Sequence, residues 1–496
     1  MTARRDFLKL ATASTAAALA PQAQSASGGT GAGSAGGNAP GTRWISTTQR
    51  APWRRMQGVR VGPLPSAMFA YQVEILPDKP LQTMRGFGGA FSEKGWLALR
   101  ALPAAAREAA LDALFAPGQG ASLNLGRTPV GGNDIARGWY SYDETDGDFA
   151  LAHFSIDNDR DTLIPFIQAA LKRRPDMGLW ASPWSPPVWM KTNGHYAMAP
   201  AWPGQPSNGI RPEQIGREGK DHFRLEPAYL EAYARYFKLY VEAYAREGIR
   251  IGHVMPQNEF NSAQPFPSCC WTPEGLARFI PYLAREVGPL GVEIFFGTLE
   301  RGNPGMLDAV LKDPAAGPLV RGVGLQWAGH EAVKAIHERH PGLEIWQSEQ
   351  ECGFGTNDWH YARYIWGRMK EYFGAGANAW FYWNLVMPTP SVSTWGWPQN
   401  SLVAVDAASG RFTLTHEYYL LAHLSHFVAA GARRIDTQSF MGYENQLAFR
   451  NPNGEVVVII QNEMSEPLDV GMKLGNQRVS VTLPADSFNT LVLPAA

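Results

Sequence analysis

The fold class predicted by this sequence is α/β: a (β/α)8 TIM barrel with an attached, discontinuous β-sandwich. Three observations predict it. Between residues 84 and 383, eight short strand-like runs alternate with helix-periodic stretches, the pattern of parallel β/α units. After Asp406 this gives way to short strands separated by turns. A strand-like segment at 43–80 precedes the first barrel run and is expected to join the C-terminal strands.

The elements follow in chain order. Residues 1–26 read as a twin-arginine signal peptide. Arg4-Arg5-Asp6-Phe7-Leu8-Lys9 precedes Leu10–Ala20, rich in Ala, Thr and Ser. That run is too short and too weakly apolar to cross a bilayer. Ala18-Leu19-Ala20 resembles a cleavage site, but Pro21 follows it, so the cut is expected later, before Ser27. Residues 27–42, mostly Gly, Ser, Ala and Thr, read as a flexible linker. The mature chain is therefore expected in a bacterial periplasm or beyond, exported folded and with no integral membrane segment.

The barrel is assigned to 81–409. Its runs are Met84–Phe91, Ser122–Pro129, Met177–Ser182, Ile251–Met255, Val292–Gly297, Val323–Trp327, Leu343–Gln347 and Asn378–Trp383. The first is rich in glycine but lacks the Gly-Lys-Ser/Thr of a phosphate loop, so tight packing between strands is the better reading. Asp161–Arg173, Glu226–Glu247 and Thr272–Val287 are helix-periodic, and Thr272-Pro273-Glu274 is a helix start. Phe412–Ala430 also reads as helical. The sandwich is assigned to 410–496, with strands at Gln446–Arg450, Val456–Gln461, Val479–Leu483 and Thr490–Leu493.

The net charge of −1 in 496 residues points away from nucleic acid and anionic membrane surfaces as partners. The chain has 17 Trp, many beside Pro, Gly and Asn at strand ends, where flat aromatic faces suit sugar rings. Its three Cys, Cys269, Cys270 and Cys352, have neither metal-ligand spacing nor the number for a disulfide framework. One of the adjacent pair could bridge to Cys352; reduced thiols are the equal alternative. His153, His195 and His330 have no ligand spacing, so no metal and no cofactor are expected.

Two apolar runs end on carboxylates. Ile251–Met255 leads into Gln257-Asn258-Glu259, and Leu343–Gln347 into Ser348-Glu349. These are strands four and seven, on opposite sides of an eight-stranded mouth. Glycoside cleavage needs one carboxylic acid to protonate the leaving oxygen and one carboxylate at the anomeric carbon. Glu259 suits the acid, with Asn258 beside it to offer an amide to a sugar hydroxyl. Glu349 suits the nucleophile. Glu344 starts the same strand, away from the mouth, and Glu351 lies beyond it.

The motifs Gly86–Ala90 (Gly-Phe-Gly-Gly-Ala), Ala181–Gly194 (Ala-Ser-Pro-Trp-Ser-Pro-Pro-Val-Trp-Met-Lys-Thr-Asn-Gly), Gln257–Glu259, Ser348-Glu349 and Tyr382-Trp383-Asn384 resemble glycoside hydrolase family 30. That family holds acid β-glucosidases (glucosylceramidases) and related β-1,6-glucanases. The resemblance runs from about residue 84 to the end. It implies a retaining glycosidase without cofactor, acting on a β-linked glucoside, glycan or glycolipid, with Glu259 as acid/base and Glu349 as nucleophile. It also implies sugar contacts at Asp134, Trp184, Asn258, Trp383 and Asn400, and an Arg127 that orients the nucleophile. The chain departs on strand six. Where the lysosomal enzyme has a Tyr after His-Trp, this chain has Gln326-Trp327-Ala328-Gly329-His330, so a different aglycone is open, as are xylosidase or xylanase activities. The loop Ser391–Asn400, with Trp395 and Trp397, is expected to shape that side. A non-catalytic sugar binder could lose either glutamate; this chain keeps both.

Overall fold

The structure is a computed structural model and describes residues 37–67, 70–439 and 443–495. The expected signal peptide and the first ten residues of the expected linker lie outside the described residues. Among the described residues, no helix is long and apolar enough to cross a membrane.

Eight parallel strands close into a barrel in chain order: Gly86–Ala90, Leu125–Pro129, Gly178–Ser182, His253–Val254, Glu293–Leu299, Val320–Gln326, Glu344–Glu349 and Ala379–Asn384. Each falls on one of the eight apolar runs. The glycine-rich first strand closes the ring by pairing with both the second and the eighth. A Cβ on Gly88 would lie 2.2 Å from the Leu125 carbonyl oxygen, so the neighbouring strand approaches closely only because the side chain is absent.

Below the mouth the barrel is plugged by Trp180, Met255, Phe295, Trp346 and Phe381. Trp180 meets Phe381 edge-on at 5.5 Å, and Phe295 packs on Trp346 at 4.4 Å. This apolar layer is a rigid floor for polar residues above it. Outside, Pro227–Arg246 and Pro273–Val287 bury their apolar faces against the barrel. Thr272 caps the second helix by accepting from the Gly275 N–H at 2.9 Å. The expected helix at 161–173 begins earlier and in two pieces, Asp157–Arg160 and Leu163–Arg173.

The expected helix at 412–430 is corrected. Val403–Asp406 and Arg411–Leu414 form a hairpin, joined by Val386–Pro388 in a small sheet. The helix is confined to His416–Ser425, with Thr415 as its cap. The apolar residues of 412–414 fit both periods; the Asp406–Gly410 turn decides for the strand.

The second domain is built on a ten-stranded sheet. Arg43–Thr48 pairs with Ser487–Leu493, and Val73–Thr83 lies between Arg433–Ser439 and Leu468–Leu474. Strands from before the barrel thus complete a sheet begun after it. His423, on the helix 416–425, locks the two domains together: its ring nitrogens bond Thr490 Oγ1 at 2.8 Å and Thr47 Oγ1 at 2.9 Å. Burial pushes this imidazole down to about 3, so it is neutral there, one nitrogen donating and the other accepting.

Candidate active site

Polar side chains from the ends of strands two, three, four, six and seven meet above the aromatic floor. Arg127, fully buried, is the centre. One terminal nitrogen donates to Glu349 Oε2 at 2.6 Å and to the Ser348 carbonyl at 3.2 Å. The other donates to Asn258 Oδ1 at 2.7 Å and to Ser182 Oγ at 3.1 Å. Its guanidinium carbon also stands 4.6 Å from the Trp180 ring centre and 4.5 Å from that of Trp184. One forked cation therefore ties strand seven to strand four, as an ammonium on a flexible stem could not.

The two strand-end glutamates are held by different chemistry. Burial pushes the Glu349 carboxyl up to about 7, against Arg127 and the Gln326 amide, which favour its ionised form. Glu259 Oε2 accepts from Gln264 Nε2 at 2.8 Å, and its Oε1 lies 3.4 Å from Gln326 Nε2. The backbone of Glu259 is left-handed, φ 45°, and its N–H donates to Thr298 Oγ1 at 2.8 Å. That hydroxyl donates in turn to Asn258 Oδ1 at 3.1 Å, so the fifth strand fixes the turn that carries the acid. The rivals lie elsewhere. Glu344 pairs with Arg85 at the start of its strand, and Glu351 accepts from Tyr364 Oη at 2.8 Å.

A sugar-sized wall continues from this pair. Trp184 and Trp383 face each other with ring centres 5.3 Å apart. Gln257 Nε2 holds the Trp184 carbonyl at 2.7 Å, and Trp383 Nε1 donates to Gln399 Oε1 at 3.1 Å. Buried Asp134 accepts on Oδ2 from Trp395 Nε1 at 3.2 Å and Gln399 Nε2 at 3.3 Å; its Oδ1 has no protein donor. Burial raises this carboxyl, and those two donors oppose the rise. Asn258 takes three donors on its carbonyl, from Arg127, Gln326 and Thr298, which leaves its NH₂ end outside this network. Beyond lies an aromatic rim: Trp327 stacks on Trp397 at 5.9 Å, Trp395 meets Trp202 edge-on at 4.9 Å, and exposed Phe354 packs beside Trp397.

Asn400 is not brought into this cluster. Its amide donates to buried Glu417 at 2.6 Å and accepts from the Asn357 N–H at 3.2 Å. Those bonds hold the 391–400 loop against the helix 416–425. Lys191 is likewise committed to the protein, donating to Ser185 Oγ and the carbonyls of Tyr196 and Ser268. All three cysteines are buried, Cys269 and Cys270 as free thiols, and burial pushes Cys269 up to about 12, against a nucleophilic role. Gln326, Gln264, Thr298 and Gln399 escaped the sequence reading as site residues. For Gln326 a signal existed: it is a polar residue near the end of the sixth strand-like run, Val323–Trp327.

The Glycosyl hydrolase family 30 TIM-barrel domain matches residues 84–428, and the family 30 beta sandwich domain matches 431–491. The chain belongs to glycosyl hydrolase family 30. It is 27% identical over 423 residues to the lysosomal acid glucosylceramidase of Mus musculus, covering 79% of this chain and 77% of that one. It is 27% identical over 453 residues to an endo-1,6-beta-D-glucanase of Neurospora crassa, covering 86% and 88%. Among solved structures, SrfJ from Salmonella typhimurium superposes with a TM-score of 0.80 at 22% identity, over 92% of this chain and 100% of the other, and shares the fold. This family 30 chain is a glycoside hydrolase, and its match divides barrel from sandwich just after the helix 416–425.

Proposed function

We propose that this hydrolase is a retaining β-glycosidase, glucosylceramidase-like in cleaving a β-glucoside, and that it works through a covalent glycosyl-enzyme on Glu349. The observation that carries the reading is the nearness of the two glutamates. Gln326 Nε2 is 3.1 Å from Glu349 Oε2 and 3.4 Å from Glu259 Oε1, so those oxygens are no farther apart than the two distances laid end to end, about 6.5 Å. Retaining pairs stand at about 5–5.5 Å, while inverting pairs start near 6.5 Å to admit a water.

The roles follow from the partners. Arg127 favours the carboxylate of Glu349 and occupies its Oε2, which leaves Oε1 for the anomeric carbon. Glu259, facing side-chain amides, carries the proton to the leaving oxygen. A water entering on the departed group's side then gives a proton back to Glu259 and its oxygen to the sugar, releasing Glu349. Asp134 Oδ1 and the Asn258 NH₂ are placed to bind hydroxyls, and Trp184 and Trp383 to bind the ring face.

The second reading is an endo-β-1,6-glucanase. The Neurospora crassa relative and the rim of Trp202, Trp327, Trp397 and Phe354 favour it, since aromatic faces outside the pocket can take further sugar units. Aryl β-glucoside, aryl β-xyloside, β-1,6-glucan and xylan, offered in parallel, separate these readings. The β-glucoside is expected to turn over with the β-anomer as first product by NMR. An α-anomer would overturn retention, and binding without hydrolysis of any of the four would revive a pure carbohydrate binder. We also propose export by the twin-arginine route, which rests on Arg4-Arg5 and the weak apolar run after them. Replacing both arginines with lysine should leave the enzyme in the cytoplasm; unchanged export would reject that route.

A further inference from the structure

The proposed chemistry moves one negative charge across the mouth. Before glycosylation Glu349 is a carboxylate and Glu259 an acid. The Glu349–sugar bond forms, the bond from the anomeric carbon to the leaving oxygen breaks, and the Glu259 proton goes to that oxygen. Glu349 is then a neutral ester and Glu259 carries the charge. Deglycosylation runs the exchange backwards, with water supplying proton and oxygen.

Gln326 spans this path. Its Oε1 accepts from Ser348 Oγ at 2.9 Å, which anchors the side chain and turns its NH₂ inward. Nε2 then has three acceptors for two hydrogens: Glu349 Oε2 at 3.1 Å, Asn258 Oδ1 at 3.2 Å and Glu259 Oε1 at 3.4 Å. The side chain is fully buried, so no water competes for those hydrogens.

We infer that Gln326 is a positioning residue that supports both glutamates in turn, its amide hydrogens following the negative charge from Glu349 to Glu259 and back. This rests on the two-glutamate reading and goes beyond it, because it assigns one neutral group to both half-reactions. An amide keeps both donors at every pH and adds no charge between two carboxyls. Of the charges that reach the pair, Arg127 bonds Glu349 and acts on Glu259 only through its field, Asp134 faces the Glu349 carboxyl, and Arg301 acts on Glu259. Among these groups the Gln326 amide alone bonds both carboxyls.

The test is the pH profile of Gln326→Met, which keeps chain length and removes the donors. Hydrogen bonds to charged groups are worth about 10- to 100-fold, and a loss of that size is expected in kcat/KM on an aryl β-glucoside. A similar loss is expected in kcat on an activated aryl glycoside, where the second step limits. Both limbs of kcat/KM should move to higher pH, since each carboxylate loses a donor that favours its charged form. Gln326→His, which retains one ring N–H, should recover part of the rate. A merely structural residue would lower the amplitude and leave both limbs in place, and a prop for Glu349 alone would move only the acidic limb; either result overturns the inference. If Gln326→Met fails to fold, Gln326→Leu, which also removes both donors, decides by the same limbs, both being required to move. A wild type inactive on every β-glycoside removes the parent reading; an active wild type with unmoved variant limbs removes this inference alone.

Discussion

Two buried aspartates, Asp134 and Asp159, follow the second barrel strand within 25 residues of each other, yet their surroundings differ in kind. Asp159 lies on the barrel flank with every oxygen satisfied. Its Oδ1 accepts from Tyr140 at 2.5 Å, and its Oδ2 from Tyr142 at 2.6 Å and Tyr244 at 2.7 Å. Asp134 lies at the mouth with both its protein donors on Oδ2 and none on Oδ1. An unmatched buried acceptor costs about 1–3 kcal/mol, and a fold that needed only stability would not leave it open. The same holds nearby: Arg127 Nε and Asn384 Oδ1 are also buried without a partner. The open Oδ1 of Asp134 at the mouth, against the fully bonded carboxyl of Asp159 on the flank, marks an acceptor free to take a ligand's hydroxyl.

The sharpest break of this contrast comes from the mouth itself. Glu349→Gln should lower kcat/KM by about 10⁵-fold or more, the scale for losing a covalent nucleophile, with the melting temperature unchanged or raised because a buried charge is gone. Near-normal turnover would move the chemistry away from strand seven. Glu259→Gln should cost about 10²–10⁴-fold, and less as the leaving group improves, because a good leaving group needs no proton. Arg127→Lys keeps the charge but not the fork to Glu349 and Asn258. About 10²-fold is expected, with the acidic limb of kcat/KM displaced to higher pH as burial of Glu349 goes less opposed. An acidic limb that stays put would mean that Glu349 does not set it. Asp134→Asn should cost about 10- to 100-fold in kcat/KM without lowering the melting temperature; a fall in stability alone would make Asp134 another Asp159.

The barrel was legible because its buried strands write short, largely apolar runs between helix-periodic stretches, and each of the eight runs overlaps a barrel strand. Glu259 and Glu349 were legible because each lies within four residues of the end of such a run. What was not legible depended on partners distant in sequence. Glu417 on the next helix, bonded by the Asn400 amide, is one such partner. Gln326 was visible as a departure from the family pattern near the end of a strand-like run, but not as a partner of both glutamates; its three acceptors come from strands four and seven. The strand Leu468–Leu474, Leu-Asp-Val-Gly-Met-Lys-Leu, went unassigned, and its place is set by pairing with Val73–Thr83, almost four hundred residues earlier. Local periodicity reveals burial, while hydrogen-bond partners across a barrel mouth are a property of closure.

The flank gives the smallest effect and the cleanest control. Asp159→Asn keeps the shape but offers one acceptor oxygen to three tyrosine hydroxyls. At least one of them then loses its acceptor inside the protein, so about 1–3 kcal/mol of stability should go, read as a lower melting temperature. The kcat/KM should hold, because Asp159 touches no residue of the mouth. Burial raises its folded pKa from the ordinary 3.8 to about 6. Ionising it therefore opposes folding: the wild type binds more protons folded than unfolded in that window, and this group's contribution falls as pH rises from 3.8 to about 6, then stays level. Asp159→Asn should lack that slope. A variant that kept its melting temperature but lost activity would invert the contrast, making the flank part of the site and Asp134 its support.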